Sequence, residues 1–496
     1  MQSDAGNNTG NAKKSISSTR ASFARFILND NKKYLLSAIA IGVVYFLVLR
    51  SLYPVPSFYS DSFTWIGAAK NNQPVTFRPI GYSKLVQFFK HFSISDLALT
   101  AAQYFSNLIA NLILFFTCIY FFAYNRVSKN LLFALLILNP FYLFYSNYVS
   151  ADAFFFSFTI AFFTLLIWIL YKPSRYVIVI QLAILALLFQ LRYNAIIFPA
   201  ISSLALVISK QVWWKKAVYI FSSFLLIALL MLSTLRATER YTGTKIFSAF
   251  SGWQMANNAM HILRYEKLDT STIADKQTKE FLLYALPFFD TASFIPADAS
   301  AWYMWHEYSP LKKYVSVFAK KKVGYFRTWN TLGPVYSKFG RTIILKKPFS
   351  YLKHIAIPNS NAYFFPSLEV YEDYMEGNDT IGGVAQEYYQ YKTNKTPQHY
   401  PLLYTIVFNP WKYGFTITNA LFIVFTFWYL LSKNYKCRPR LFNYTLLCFS
   451  TLYLANFFFV VLLAPSVLRY HIFILTLSFP VTIYMMQQLK IKKLPI

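Results

Sequence analysis

Long apolar runs alternate with short polar ones along most of the chain. The runs fall at residues 34–49, 97–122, 131–145, 153–170, 176–191, 195–208, 217–235, 413–431, 441–463 and 470–486. An α-helix needs about 20 apolar residues to cross the hydrocarbon core of a bilayer, because each residue rises only ~1.5 Å. The pattern therefore predicts an all-α polytopic membrane protein with about ten transmembrane helices. Several runs are short for a full span, and the pair within 176–208 also fits a re-entrant hairpin, which returns to its starting side either way.

The polar intervals orient this pattern. One set of connections carries Arg126 and Lys129, then Lys172 and Arg175, then Lys210, Lys215 and Lys216, then Lys433, Lys436, Arg438 and Arg440, and finally Lys490, Lys492 and Lys493. The N-terminal Lys13, Lys14, Arg20, Arg25, Lys32 and Lys33 fall on the same side when the chain is threaded. The opposite short connections, 146–152, 192–194 and 464–469, hold only Arg192 and Arg469. Cytoplasmic loops are the ones enriched in Lys and Arg, so both termini are expected in the cytoplasm. The expected organisation is a cytoplasmic tail over 1–33, a transmembrane module over 34–235 with a first outer loop at 51–96, a mixed extracytoplasmic domain over 236–412, and C-terminal transmembrane helices over 413–496. No small-residue cleavage pattern follows the first run, which reads as a retained anchor. Residues 311–329, with Lys312, Lys313, Lys320, Lys321, Lys322 and Arg327 among aromatic residues, read as a basic interfacial helix against membrane lipids.

Composition supports the membrane class: 56% of the 496 residues are hydrophobic and 14% charged. The net charge of +29 invites a nucleic-acid reading, but the basic residues are short clusters between apolar runs, so no nucleic-acid partner is expected. The 3 cysteines, Cys118, Cys437 and Cys448, lie in or beside apolar segments, and the 6 histidines are dispersed. No motif supports a metal site, so none is assigned; a divalent ion is chemically possible but not required. Phosphate-cradling glycine loops and dinucleotide fingerprints are missing as well, and no cytoplasmic segment is large enough for a nucleotide-sugar site. A substrate must then come from the membrane or the outer compartment.

Acidic residues are scarce enough in the membrane part to be considered singly. Between the first apolar run and residue 236 they are Asp61, Asp96 and Asp152. Ser93 and Asp96 have capping-box spacing before a span, which gives Asp96 a structural role. Asp152 follows Ser150 at the start of a span, where helix capping and function both remain open. Asp61 either caps a short surface helix running towards Lys70 or acts chemically; Asp96 apart, it is the only carboxylate of the first outer loop. Arg78, Arg192 and Arg469 complement them on the face otherwise poor in positive charge. An arginine at a span end can simply snorkel to headgroups, yet planar guanidinium forks also suit bidentate phosphate binding.

At these residues the chain resembles the membrane glycosyltransferases of the GT-C superfold, particularly the bacterial relatives of the protein O-mannosyltransferase and aminoarabinose-transferase branch. The likeness rests on Asp61 in the first outer loop, Arg78-Pro79-Ile80-Gly81-Tyr82, the segment Asn139-Pro140-Phe141-Tyr142-Leu143-Phe144-Tyr145-Ser146 leading to Ser150-Ala151-Asp152, and then Leu191-Arg192-Tyr193-Asn194 and Arg469-Tyr470. It covers the first 235 residues best. The resemblance implies transfer of a sugar from a polyprenyl-phosphate-linked donor to a lipid, glycan or protein acceptor on the outer face of a bacterial cytoplasmic (inner) membrane. Asp61 would then be the general base, Asp152 a second catalytic carboxylate, Arg78 the principal ligand of the donor phosphate, and Arg192 and Arg469 further phosphate ligands. The competing classes are an O-antigen-type polymerase or ligase, which joins polyprenyl-linked glycans, and a lipid or solute transporter. The segment Trp253-Gln254-Met255-Ala256-Asn257-Asn258-Ala259 attaches to no one reaction.

Overall fold

The computed structural model describes residues 22–291, 300–319, 324–396 and 400–489, which are helical throughout, without a strand. Lys13, Lys14 and Arg20 of the expected tail, the 320–322 cluster and Lys490, Lys492 and Lys493 lie outside them. Apolar helices lead: α1 (Lys32–Leu52), then two short helices, α2 (Ser60–Lys70) and α3 (Gly81–Lys90), then α4 (Leu97–Phe121), α5 (Arg126–Ser146) and α6 (Ala151–Tyr171). A short pair follows, α7 (Arg175–Leu191) and α8 (Tyr193–Ile208), before the long α9 (Trp213–Thr242). The connecting region contains α10 (Phe250–Leu263), α11 (Lys276–Ala285), α12 (Trp302–Trp305), α13 (Pro310–Phe318) and α14 (Tyr325–Lys346). Three apolar helices close the chain: α15 (Pro401–Leu431), α16 (Arg440–Leu463) and α17 (Ile472–Leu489).

Eight of these helices, not ten, are long and apolar enough to cross a membrane. The other two expected spans are α7 and α8, where Arg192 interrupts the apolar run and leaves each helix short of a full crossing. Burial sorts the eight: the apolar windows of α6 and α17 are 78% and 89% buried, whereas that of α9 is 11% buried, so the first two form the core and α9 lies on its rim. A helix apolar on all sides yet left unburied by protein is what a lipid-facing helix requires. The protein is therefore a multi-pass helical membrane protein. Inside α5, Asn139 and Pro140 break the helix: proline has no N–H to donate, and the Asn139 side chain accepts from Phe141 N to start the next turn.

The region expected as a mixed domain is helical among the described residues and divides in two. The first part has its own core, built from Trp253, Phe281, Leu311, Trp329, Tyr336 and Phe339, among others. The α10 and α14 helices touch backbone to backbone there, since a Cβ on Gly252 would lie 2.0 Å from the Gly333 carbonyl oxygen. The second part, including Tyr363, Tyr371 and Tyr388, belongs to the core of the membrane helices instead. The interfacial helix expected over 311–329 is not one helix, because α13 ends at Phe318 and α14 starts at Tyr325. Leu311, Tyr314 and Val315 turn into the core of that region, so the apolar side of α13 is covered by protein and not by lipid.

Candidate functional site

Connectivity brings the scarce charges to one end of the bundle, the end at which α1 finishes. The chain leaves α1 and runs extended to Ser57, which bonds as a parallel bridge to the segment before α6: Ser57 N donates to Asn147 O (2.9 Å) and Val149 N to Ser57 O (3.1 Å). Ser62 Oγ donates to Val149 O (2.7 Å) and accepts from Tyr59 N (3.1 Å), closing the start of α2. The Tyr59 and Ser150 hydroxyls lie 2.8 Å apart. These bonds set the first turns of α2 and α6 side by side, and those turns carry Asp61 and Asp152.

Neither carboxylate serves as a cap. Ser62 closes α2, and the Ser150 side chain caps α6 by accepting from Asp152 N (3.1 Å). Each carboxylate faces a guanidinium. Arg78 Nη2 donates to Asp61 Oδ1 (2.6 Å), and Arg469 Nη1 to Asp61 Oδ2 (3.2 Å). Arg192 pairs with Asp152, whose side chain is 1% exposed and whose Oδ2 has no hydrogen-bond partner among the described residues. The three arginines thus meet from three distant segments. Pro79 restrains Arg78 to an extended backbone. Arg192 follows the last turn of α7 in an extended conformation, and Arg469 sits in a single 3-10 turn before α17. Tyr470 stands between the latter two, its ring 4.8 Å from the Arg192 guanidinium and 5.0 Å from that of Arg469. Gly81 allows α3 to press on the end of α7, where a Cβ would lie 2.5 Å from the Gln190 carbonyl oxygen.

Glu369 completes the group and was not among the expected residues. Arg469 Nε lies 2.9 Å from Glu369 Oε2, and the Leu468 N to Ser367 O bond (3.4 Å) holds the two segments together. Glu369 adopts a left-handed backbone at φ 52°, as do Met375 and Glu376 at 59° and 53°. Such conformations are uncommon for non-glycine residues and persist only where surroundings impose them. The surroundings here are the Met375 N to Ser57 Oγ bond (3.0 Å), the Tyr148 hydroxyl on Val370 O (3.2 Å) and the Tyr374 hydroxyl on Val55 O. The only hint in the sequence is a local run of acids in a basic protein: Glu369, Glu372, Asp373, Glu376 and Asp379.

Asp96 has a structural role, but not the expected one. Its side chain makes no cap; it is buried against Arg50 (2.9 Å) and accepts from the Tyr391 hydroxyl (2.8 Å).

The group therefore pairs three carboxylates with three guanidiniums. Burial pushes the Asp61 carboxyl up, but Arg78 first, then Arg469 and Arg192, more than offset this and hold it below its ordinary value of 3.8. Burial drives the neighbouring Tyr59 hydroxyl well above its usual range, with Asp152 and Asp61 adding to the effect, so it stays protonated. Beside Arg78 a cleft of ≈ 80 Å³ extends towards α9, lined by Tyr193, Thr234, Thr238, Trp329 and Asn330 among others. Among the described residues no cluster of three His, Cys, Asp or Glu side chains is placed to hold a metal ion.

Fold and charge placement define a polytopic helical membrane protein with a partly buried arginine–carboxylate cluster, in which Asp152 is the fully buried member, at one end of its bundle. Compared with known proteins, the chain matches no family model, no curated protein and no solved structure.

Proposed function

We propose that this protein is a glycosyltransferase that moves a sugar from a polyprenyl-phosphate-linked donor to an acceptor hydroxyl at the outer face of the cytoplasmic membrane. The observation that carries the reading is the convergence of Arg78, Arg469 and Asp61, within 2.6 and 3.2 Å, at the end of an apolar bundle. A lipid phosphate can reach such a place from the bilayer, and guanidiniums are the side chains best suited to hold it. The cleft beside Arg78 is bordered by α9, the helix left facing lipid.

In this reading the acceptor oxygen forms a bond to the sugar's C1 while the bond from C1 to the phosphate oxygen breaks. The bonding pair leaves with the polyprenyl phosphate, and Asp61 takes the acceptor's proton. Arg78 and Arg469 stabilise the charge that grows on the phosphate. Both arginines pair with Asp61, so a phosphate that draws them away also restores the proton affinity of Asp61 and couples donor binding to activation of the base. Asp152, locked by Arg192, orients the acceptor or Asp61. A transporter would hold its charges near the middle of the membrane, whereas these gather at one end of the bundle.

The test is a transfer assay on the purified full chain, using decaprenyl-phosphate-linked sugars with lipid, glycan and peptide acceptors. Transfer is expected with at least one pair, and Asp61→Asn should lower turnover by roughly 100-fold while the protein still accumulates. Release of polymerised glycan from lipid-linked oligosaccharide, with no transfer from any monosaccharide donor, would assign the protein to the polymerase or ligase class instead.

A further inference from the structure

Three indoles form a column in the region above the site. Trp253 and Trp329 stack with ring centroids 3.6 Å apart and planes 8° from parallel, and Trp305 continues the column at 5.5 Å and 13° from Trp329. The first two are sealed, but Trp305 is 42% exposed. The Arg78 guanidinium lies 5.5 Å from the Trp305 ring and 4.9 Å from that of Phe250.

Much of the buried polar chemistry nearby serves to place this exposed ring. Trp253 Nε1 donates to Trp329 O (3.1 Å), fixing the two inner indoles. Asn257 holds both ends of the segment that carries Trp305: its Nδ2 donates to Ser300 O (2.9 Å) and its Oδ1 accepts from Met304 N (3.2 Å). His261 Nε2 lies 2.9 Å from the same Ser300 carbonyl, and Gln254 donates to Asn258 Oδ1 (3.0 Å). The Trp253-Gln254-Met255-Ala256-Asn257-Asn258-Ala259 segment, which attached to no reaction in the sequence, is thus a buried frame with an exposed indole as its product. Hydrogen-bonded frames of this kind are used where a group must be held in one place, since each buried amide is costly unless satisfied. An indole that only met lipid headgroups would not need to be parallel to two others or to border the arginine of the site.

We propose that Trp305 is a stacking platform for the sugar ring of the substrate whose phosphate Arg78 holds. This rests on the transferase reading and adds the substrate's recognition element. One face of a pyranose is lined by C–H groups, which pack on the negative face of an indole, and a phosphate attached at C1 would then reach the neighbouring guanidinium. The class of ligand it takes is a pyranose with mostly equatorial hydroxyls, so that axial C–H groups line its face, joined to a phosphate. Phe250, tilted 49° to Trp305 at 6.0 Å, closes one side.

The experiment measures binding of decaprenyl-phosphate glucose and of bare decaprenyl phosphate to the full chain in nanodiscs, alongside transfer, for wild type, Trp305→Ala and Trp305→Tyr. Trp305→Ala should weaken the sugar-bearing lipid about tenfold and leave the bare lipid unchanged, while Trp305→Tyr should recover most of the loss. Equal weakening of both lipids would mean that Trp305 only supports Arg78, and would overturn the platform. So would an alanine variant that binds both like wild type, or a wild type that binds the two lipids equally. Transfer by wild type with Trp305→Ala unaffected removes the platform and leaves the transferase reading intact. Sugar-dependent binding lost in Trp305→Ala, without transfer to any acceptor, does the reverse.

Discussion

Replacing Arg78 isolates the central claim, because this arginine makes two kinds of contact at once. It pairs with Asp61 at 2.6 Å and packs its guanidinium against Phe250 and Trp305. Unit charges about 4 Å apart interact by roughly 4 kcal/mol at an effective dielectric of about 20. The two aromatic contacts add about 1 kcal/mol each. Arg78→Gln loses both contributions, but Asp61 keeps Arg469 at 3.2 Å and is not stranded. Burying the guanidinium costs several kcal/mol that the variant no longer bears, which offsets most of this, so the loss of folding stability should stay below the roughly 3–5 kcal/mol that follows when a buried charge loses its only partner. Turnover should fall further, by about 100-fold or more, because a cation facing the departing phosphate is lost where charge develops. Arg78→Lys keeps the charge without the fork and should fall between. The pH dependence gives a second readout. Asp61 is held below 3.8 with Arg78 first among the causes that lower it, so if Asp61 is the base of the proposed transfer, the acid limb of kcat/KM in the wild type should lie below that value. Removing Arg78 leaves burial less opposed, and the limb should move to higher pH. The assay is donor-dependent transfer by the purified chain across pH, with thermal unfolding as the control for folding. A folded Gln variant with near-normal turnover and an unmoved acid limb would make Arg78 a snorkelling residue and remove it from the site.

Three further outcomes are expected. A reporter fused at residue 300 should be exposed on the side opposite the lysine-rich connections, and a cytoplasmic reporter there would reverse the orientation and the site's compartment. Asp152→Asn and Arg192→Gln should each destabilise the chain by roughly 3–5 kcal/mol, because each strands a buried charge, while the double variant should cost clearly less than their sum; additive losses in thermal unfolding would mean that the pair is not coupled. Gly252→Ala places a Cβ 2.0 Å from the Gly333 carbonyl and should cost about 1–3 kcal/mol, whereas Gly67→Ala, which meets nothing within 4 Å, should be neutral or slightly stabilising; equal thermal midpoints would show that α10 and α14 do not pack backbone to backbone.

The membrane class and the position of nearly every apolar helix were legible in the sequence, because a bilayer imposes a length and a composition that any spanning helix must meet by itself. The candidate charges were legible for the same reason: a carboxylate or an arginine is so costly beside apolar spans that the few present stand out. Their partners were not. Asp61 and Arg469 are 408 positions apart, and only the packing of α17 against α6 and the Ser57 bridge brings them within 3.2 Å. Asp96 and Asp152 looked alike as residues at the start of a span, yet one meets Arg50 and Tyr391 while the other meets Arg192. Glu369 could not be told from the other acids around it, since its role comes from a backbone turned left-handed by contacts with the first loop. The Trp305 column is likewise tertiary, built by α10, α12 and α14 from tryptophans that look like ordinary core residues one at a time. Solvent acts on each residue separately and so writes the spans into local composition; ion pairs and stacked rings act between residues, and only the folded chain chooses which ones meet.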